Sequence, residues 1–291
     1  MKRIKYLLAV VATVMIAFQS SAQEIRKTVL GIDNISYSNY FSQIDEEMFR
    51  GQLVSAIQRT GRVIVVDYNA TNENAIDADC MLSASLDRLT IKEEFYEEKE
   101  SRKVDGKYKT FIKGRYPYIK ATINYSIKII DCSSGSIINQ NSYTISTGYL
   151  NTASHKPDYL SFSAARKGIM EKCVNPDDIA VLILNTFKVQ GMILQMDKGD
   201  ARKAKTVYIS LGSDDGIEPR QILEVFKEFE IAGEISQKLI GEVEITEILG
   251  SSRSLAKVRK GGDEILNCLS SNLRMPVITR DVATQLFGGV R

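Results

Sequence analysis

The sequence predicts an α+β chain, with a mixed sheet packed by helices followed by a small all-β barrel. Three observations carry this reading. A helical period at 43–61 stands between two strand-like runs at 26–37 and 62–67. Three strand patterns then follow one another at 80–98, 118–131 and 135–147, as a meander does. After Phe187 only short strand patterns remain, divided by Gly, Ser and Asp turns. The 291 residues, 44% hydrophobic and 25% charged, are enough for two ordinary globular domains.

Residues 1–22 read as a secretory signal rather than as part of the fold. Lys2, Arg3 and Lys5 precede an apolar run from Leu7 to Phe18, and small residues lead to a cleavage site near Ala22. The run is short for a membrane span. No cysteine follows it to accept a lipid. Removing three basic residues turns the formal charge of +2 into about −1, which gives no electrostatic reason to expect nucleic acid as a partner. The expected address is the periplasm or the periplasmic side of the outer membrane, with membrane association peripheral at most.

The elements follow in order. In "RKTVLGIDNISY", Thr28, Val29, Leu30 and Ile32 form a strand pattern. The helix at 43–61 places Ile44, Met48, Leu53, Val54 and Ile57 at helical spacing and ends at Gly61. "RVIVVD" is a continuous apolar run, as expected for a strand buried on both faces. In the second meander strand the alternating residues Ile119 to Ile129 fall on one face. Between the first two meander strands lies a charged segment, 92–118, with the hairpin signal Asp105-Gly106 at its centre.

Helices return at 157–173, where Leu160, Phe162, Ala165, Ile169 and Met170 are apolar, and at 175–187. The latter has Asn175 as N-cap, Pro176 at the first helical position and two aspartates in the first turn. Six short strands at 191–197, 205–211, 221–229, 239–249, 254–260 and 276–280 complete the chain. The expected domains are 23–188 and 189–291.

A hairpin centred on Asp105-Gly106 pairs positions summing to about 211. That puts Cys80 nearly opposite Cys132. Export permits a disulfide between them, and the sequence allows either a bond or two free thiols. Cys173 and Cys268 complete the set; no C-x-x-C spacing occurs, and His155 is the only histidine, so no metal site is expected. Asp214-Asp215-Gly216 lacks the alternation and distal Glu of a calcium loop and reads as a turn. No nucleophile–base pair, nucleophile elbow or phosphate-binding loop is present, so neither catalytic nor cofactor-binding residues are expected.

The stretch from Val29 to Asp67, ending in "GRVIVVD", and the later "INYSIKIIDCSSGSII" resemble the CsgG-like proteins and the N-terminal domain of TolB. "VYISLGSDDGIEPRQILEVF" and "IGEVEITEILGSSRSLAKV" resemble the C-terminal barrel of the flagellar T-ring protein, FlgT, through Gly212, Gly216, Ile217, Ile240, Gly241, Ser254 and Ala256. Curli-channel relatives are lipoproteins with membrane-spanning hairpins; this chain departs from them in lacking the lipidation cysteine and an apolar hairpin stripe. What the resemblance implies is a non-enzymatic envelope scaffold that recognises other envelope proteins, and, because ring-forming relatives exist, self-association into a homo-oligomer.

The expected contacts are the hairpin aromatics Tyr108, Phe111, Tyr116 and Tyr118, since aromatic side chains favour interface cores. Packing of these rings on their own hairpin is the competing reading. Two other functions are carried. One is an outer-membrane secretion pore of the curli-channel type, with the hairpin in lipid. The other is an envelope-polymer hydrolase using carboxylates between Glu93 and Glu100.

Overall fold

A computed structural model describes residues 27–68, 77–231 and 233–282; the expected leader, 1–22, lies outside them. The chain is α+β, as the sequence predicts. Strands β1 (Val29–Ile32), β2 (Ser36–Tyr37), β3 (Ile64–Asp67), β4 (Cys80–Val104), β5 (Lys107–Asp131) and β6 (Ile137–Thr147) form one mixed sheet. Its order is β3-β1-β4-β5-β6, with β2 added to β4. β1 runs parallel to both β3 and β4, and β4, β5 and β6 are an antiparallel meander.

Helix α1 (Gln43–Arg59) starts at a capping box. The Asp45 N–H donates to Ser42 Oγ, and the Ser42 N–H donates back to the Asp45 carboxylate at 2.8 Å. Its buried stripe is Phe49, Leu53, Ala56 and Ile57, while Ile44 and Met48 are exposed, correcting the face read from the sequence. The sheet decides the choice, because Phe49 meets Tyr125 edge-to-face at 5.0 Å.

"RVIVVD" is also corrected. β3 is the sheet's edge strand, and Ile64 is exposed. Helices α2 (Phe162–Met170) and α3 (Pro176–Thr186) lie against the same core. Asn175 caps α3 as expected. In α2 the core takes Ala165, Ile169 and Met170 and leaves Leu160 and Phe162 outside. Beside them, β7 (Leu150–Asn151) and β8 (Lys156–Pro157) form a two-rung hairpin.

The remaining strands are β9 (Gln190–Gly199), β10 (Ala204–Ile209), β11 (Ile222–Ile231), β12 (Glu234–Ile248), β13 (Ser254–Lys260) and β14 (Pro276–Thr279). They close a barrel in the order β10-β13-β12-β11-β14-β9. Its core, including Val207, Leu223, Val243 and Val277, is fully buried and separate from that of the sheet. In the barrel one element was not foreseen: α4 (Gly262–Ser270), which inserts Ile265 and Cys268 into the barrel core.

Asp214 and Asp215 lie in a single 3₁₀ turn, Ser213–Asp215. The Gly212 N–H donates to the Asp215 carboxylate at 2.7 Å, and Gly216 follows with φ +64°. A Cβ on Gly216 would lie 2.7 Å from the Gly61 carbonyl, so this corner packs closely on the end of α1. Arg62 is buried beside it and donates to the Asp215 carbonyl at 3.2 Å. Burial pulls the Arg62 pKa down to about 10 against the pull of Asp215 and Glu218.

Candidate functional site

The hairpin expected at 92–118 is far longer than a loop. β4 and β5 are 25 residues each and pair from Cys80↔Asp131 to Val104↔Lys107, through two bulges. In the stem, Leu82, Ala84, Leu86 and Leu89 on β4 and Ala121, Ile123, Tyr125, Ile127 and Ile129 on β5 are buried. From Thr90 to Lys120 no residue is buried. This outer part, the arm, spans roughly 50 Å at about 3.4 Å per residue, with only Ile91 and Ile119 at its root packed against the core.

Beyond Leu86, β4 has no strand partner but β5, and below Ala121 β5 has none but β4, among the described residues. The arm is thus a two-stranded ribbon with both edges open. Asp105, at φ +51°, and Gly106, at φ +77°, close it as the turn chemistry requires.

Two bulges decide which side chains share a face. Asp87 is the extra residue on β4 and Lys113 the extra residue on β5. Because they lie on opposite strands they cancel, and the pairing sum of 211 holds both at the tip and at the base. Alternation from the paired rungs puts Tyr96, Phe111, Tyr116 and Tyr118 on one face with Glu94, Glu98 and Glu100. Phe95, Ile112, Arg115 and Tyr108 lie on the other. The expected aromatic contacts are therefore divided, with Phe111, Tyr116 and Tyr118 together and Tyr108 opposite.

Tyr116 and Tyr118 are engaged by side chains of the chain itself. The Tyr116 ring stacks on His155 at 3.9 Å, and its hydroxyl donates to Glu98 at 3.2 Å. Tyr118 donates to Glu94 at 2.6 Å. Tyr118 thus bonds to its own hairpin, and Tyr116 bonds to the hairpin through its hydroxyl while its ring packs on the 149–158 segment. Tyr108, Phe111 and Ile112 are exposed, Tyr108 by 79%. Arg115 lies over the Phe95 ring at 4.4 Å.

The glutamates do not converge. Glu93 and Glu97 point to the face opposite Glu94, Glu98 and Glu100. Glu98 is held below its ordinary pKa mainly by Lys113, 2.8 Å away, with Tyr116 and His155 adding to it. Glu94 is lowered by Lys92 and Tyr118, and Glu100 by Arg102. A glycosidase general acid needs the opposite shift.

The buried carboxylates elsewhere are paired too. Arg50 bridges Glu46 and Asp67, both at 2.9 Å, and Arg166 meets Asp45 at 2.6 Å. Burial pushes the Asp45 pKa up, but Ser42 and Arg166 together carry it below its ordinary value. These ion pairs tie α1 to the end of β3 and to α2. Among the described residues no group of three or more His, Cys, Asp or Glu is placed to hold a metal ion. No helix among them is long and apolar enough to cross a membrane, which leaves strands unaddressed.

Cys80 pairs in register with Asp131, one residue short of Cys132, whose N–H donates to the Asp79 carbonyl at 3.0 Å. Both are free thiols, Cys80 buried and Cys132 exposed. Burial pushes the Cys80 thiol up to about 11, with Asp131 next in effect.

Sequence reasoning missed the charge division of the arm, although its signal was countable. From 99 to 115 there are seven Lys or Arg against Glu100 and Asp105. From 90 to 98 there are four Glu against Lys92. The seat of His155 on Tyr116 had no sequence signal, because it joins two segments 39 positions apart in the chain.

No family model matches the chain, and neither does any curated protein. Solved structures share parts of the architecture. A Xanthomonas campestris protein of the family DUF330 is 14% identical, with a TM-score of 0.34, covering 58% of this chain and 88% of its own. A homologue of a neuraminyllactose-binding hemagglutinin from Helicobacter pylori is 14% identical, with a TM-score of 0.33 and coverage of 56% and 82%. A minor lipoprotein from Acinetobacter baumannii is 14% identical, with a TM-score of 0.28 and coverage of 56% and 91%. Likenesses of this size establish neither a family nor a role.

Proposed function

We propose that this chain is a non-enzymatic accessory or assembly protein of the bacterial envelope, exported and acting by protein–protein recognition through its projecting hairpin. The observation that carries the reading is the arm itself. A two-stranded ribbon is marginal in water without a third strand or a covered face. This one runs well beyond the core with both edges unpaired. Open strand edges are templates for a partner strand, and proteins that do not use them shorten or cover them. The exposed Phe111, Tyr108 and Ile112 supply apolar contact beside those edges.

Less supports the enzymatic reading. The glutamates of 93–100 sit on two faces of an open ribbon, with Glu94, Glu98 and Glu100 shifted away from acid catalysis. The pore reading needs a lipid-facing apolar stripe. Each face of the arm instead carries charges spread along its length: Glu93, Glu97, Lys99 and Lys103 on one, Lys92, Glu94, Glu98 and Arg102 on the other. A lysine or arginine at mid-bilayer on a lipid-facing strand costs about 2–4 kcal/mol.

The test shortens the arm in register. Glu94 and Tyr118 are cross-strand partners, so residues 95–117 are replaced by Asn-Gly as a two-residue turn. The shortened chain is expected to melt as the full chain does and to lose the proteins that the full chain retains from an envelope extract. Equal retention by both would contradict the reading. Light scattering on the same pair reads self-association: a single protomer mass for the full chain at high concentration removes the homo-oligomer.

A further inference from the structure

We propose that the tip of the arm docks on an anionic lipid surface, holding the body of the protein away from it. The inference deepens the recognition role above and rests on the arm being a contact element, but it assigns the tip a different partner from the ribbon's edges.

The first observation is uncompensated charge. Residues 99–115 have a formal charge of +5, seven basic side chains against two acidic ones. Lys99, Arg102 and Lys113 have acidic neighbours in Glu97, Glu100 and Glu98. Lys103, Lys107 and Lys109, on the last rungs before the turn, have no ion pair among the described residues. Arg102 and Lys109 stand directly opposite each other across the ribbon. Like charges in that position weaken a strand pair, so the fold gains nothing from them.

The second observation is what accompanies the charge. Tyr108, Phe111 and Ile112 are exposed within the same stretch. A tyrosine with an apolar ring and polar tip, among lysines, is the side-chain combination of a membrane–water interface.

The third observation chooses lipid over an acidic protein. Lys103, Tyr108 and Ile112 lie on one face of the ribbon, and Lys107, Lys109 and Phe111 on the other. The basic and apolar side chains therefore surround the tip. A folded partner would meet one face. A headgroup layer surrounds an inserted tip on all sides, and each basic side chain near it adds attraction that decays within a Debye length.

The chain has no tryptophan, so one placed at the tip reports from there alone. The exported form, residues 23–291, is made with Tyr108→Trp and titrated with vesicles of phosphatidylcholine alone or with about one-third phosphatidylglycerol. The expected result is a blue shift of the emission with anionic vesicles, absent with zwitterionic ones and lost on raising salt from about 0.1 M to about 0.5 M. Adding Lys103→Gln, Lys107→Gln and Lys109→Gln should weaken partitioning about 100-fold, at about fivefold per lysine. The triple Lys→Arg variant should bind like the parent.

No shift with anionic vesicles overturns the proposal, and so does equal binding by the Lys→Gln triple. An equal response to polyglutamate or DNA at matched charge overturns it in favour of an acidic macromolecule. If lipid binding fails while the shortened arm still abolishes partner retention, only this inference falls. If the shortened arm retains its partners while the tip binds vesicles, the recognition role falls instead.

Discussion

The two strands of the long hairpin pass through two environments. In the stem, β4 lies between β1 and β5 while β5 lies between β4 and β6, with helices over one face and Leu82, Leu86, Ile123, Tyr125 and Ile127 fully buried. In the arm the same strands keep the same register but lose every strand partner except each other, with the 149–158 segment touching them through His155 on Tyr116, and no side chain between 90 and 120 is buried. Stem stability comes from apolar burial, which is worth about 1.5–3 kcal/mol for each large side chain. The arm has backbone pairing, ring stacking and exposed ion pairs, whose contributions are small and salt-sensitive. The comparison separates holding a shape from presenting one.

Substitutions on the two sides should differ most. Tyr125 is fully buried, edge-to-face with Phe49 and stacked on Tyr143 at 5.0 Å. Tyr125→Ala should cost about 3–5 kcal/mol in urea unfolding, with an unchanged slope. Ile112→Ala, at the exposed tip, should stay within about 0.5 kcal/mol. Comparable losses at both sites would erase the distinction.

The boundary between the regions has its own lock. Gly148 leaves β6 with φ +86°, and a Cβ there would lie 2.0 Å from the Ile119 carbonyl. Gly148→Ala should destabilise the chain by about 1–3 kcal/mol, through strain at a left-handed position that must also move a backbone carbonyl. A neutral result would mean that the 149–158 segment, which carries His155 onto Tyr116, seats without that close approach.

Acid should act on the arm before the stem. Glu94, Glu98 and Glu100 are held below their ordinary pKa in the fold by Lys92 and Tyr118, Lys113, and Arg102 respectively, so their pairing stabilises the arm above the ordinary carboxylate range. That contribution is lost as pH falls through the depressed values. Between about pH 6 and about pH 3, NMR should show the ring-current shifts from the Tyr116–His155 stack fading while those of Phe49–Tyr125 persist. Simultaneous loss would indicate one cooperative unit.

Much of this division was legible in the residues. Asp105-Gly106 located the turn, and alternation from Ile119 to Ile129 located the stem's buried face. The arm's length was not legible, because a ribbon wet on both faces has no apolar alternation to mark its strands. The division of the aromatics was hidden by the bulge at Lys113. In an unbroken strand Tyr108 would share a face with Tyr116 and Tyr118, and Phe111 would lie opposite. α4 escaped notice because its nine residues begin with a glycine and carry a single short apolar stripe. The edge position of β3 depends on strand order, which is a property of the assembled sheet.

The central claim is that the arm is only marginally held in the free chain and awaits a contact. Residue-resolved hydrogen exchange tests it most directly. The account predicts that arm amides at 91–103 and 108–119 exchange at least about 100-fold faster than those of Ile123, Tyr125 and Ile127, by opening that leaves the stem intact. Protection of the arm equal to that of the stem would contradict it, because a ribbon that stable alone needs nothing to complete it.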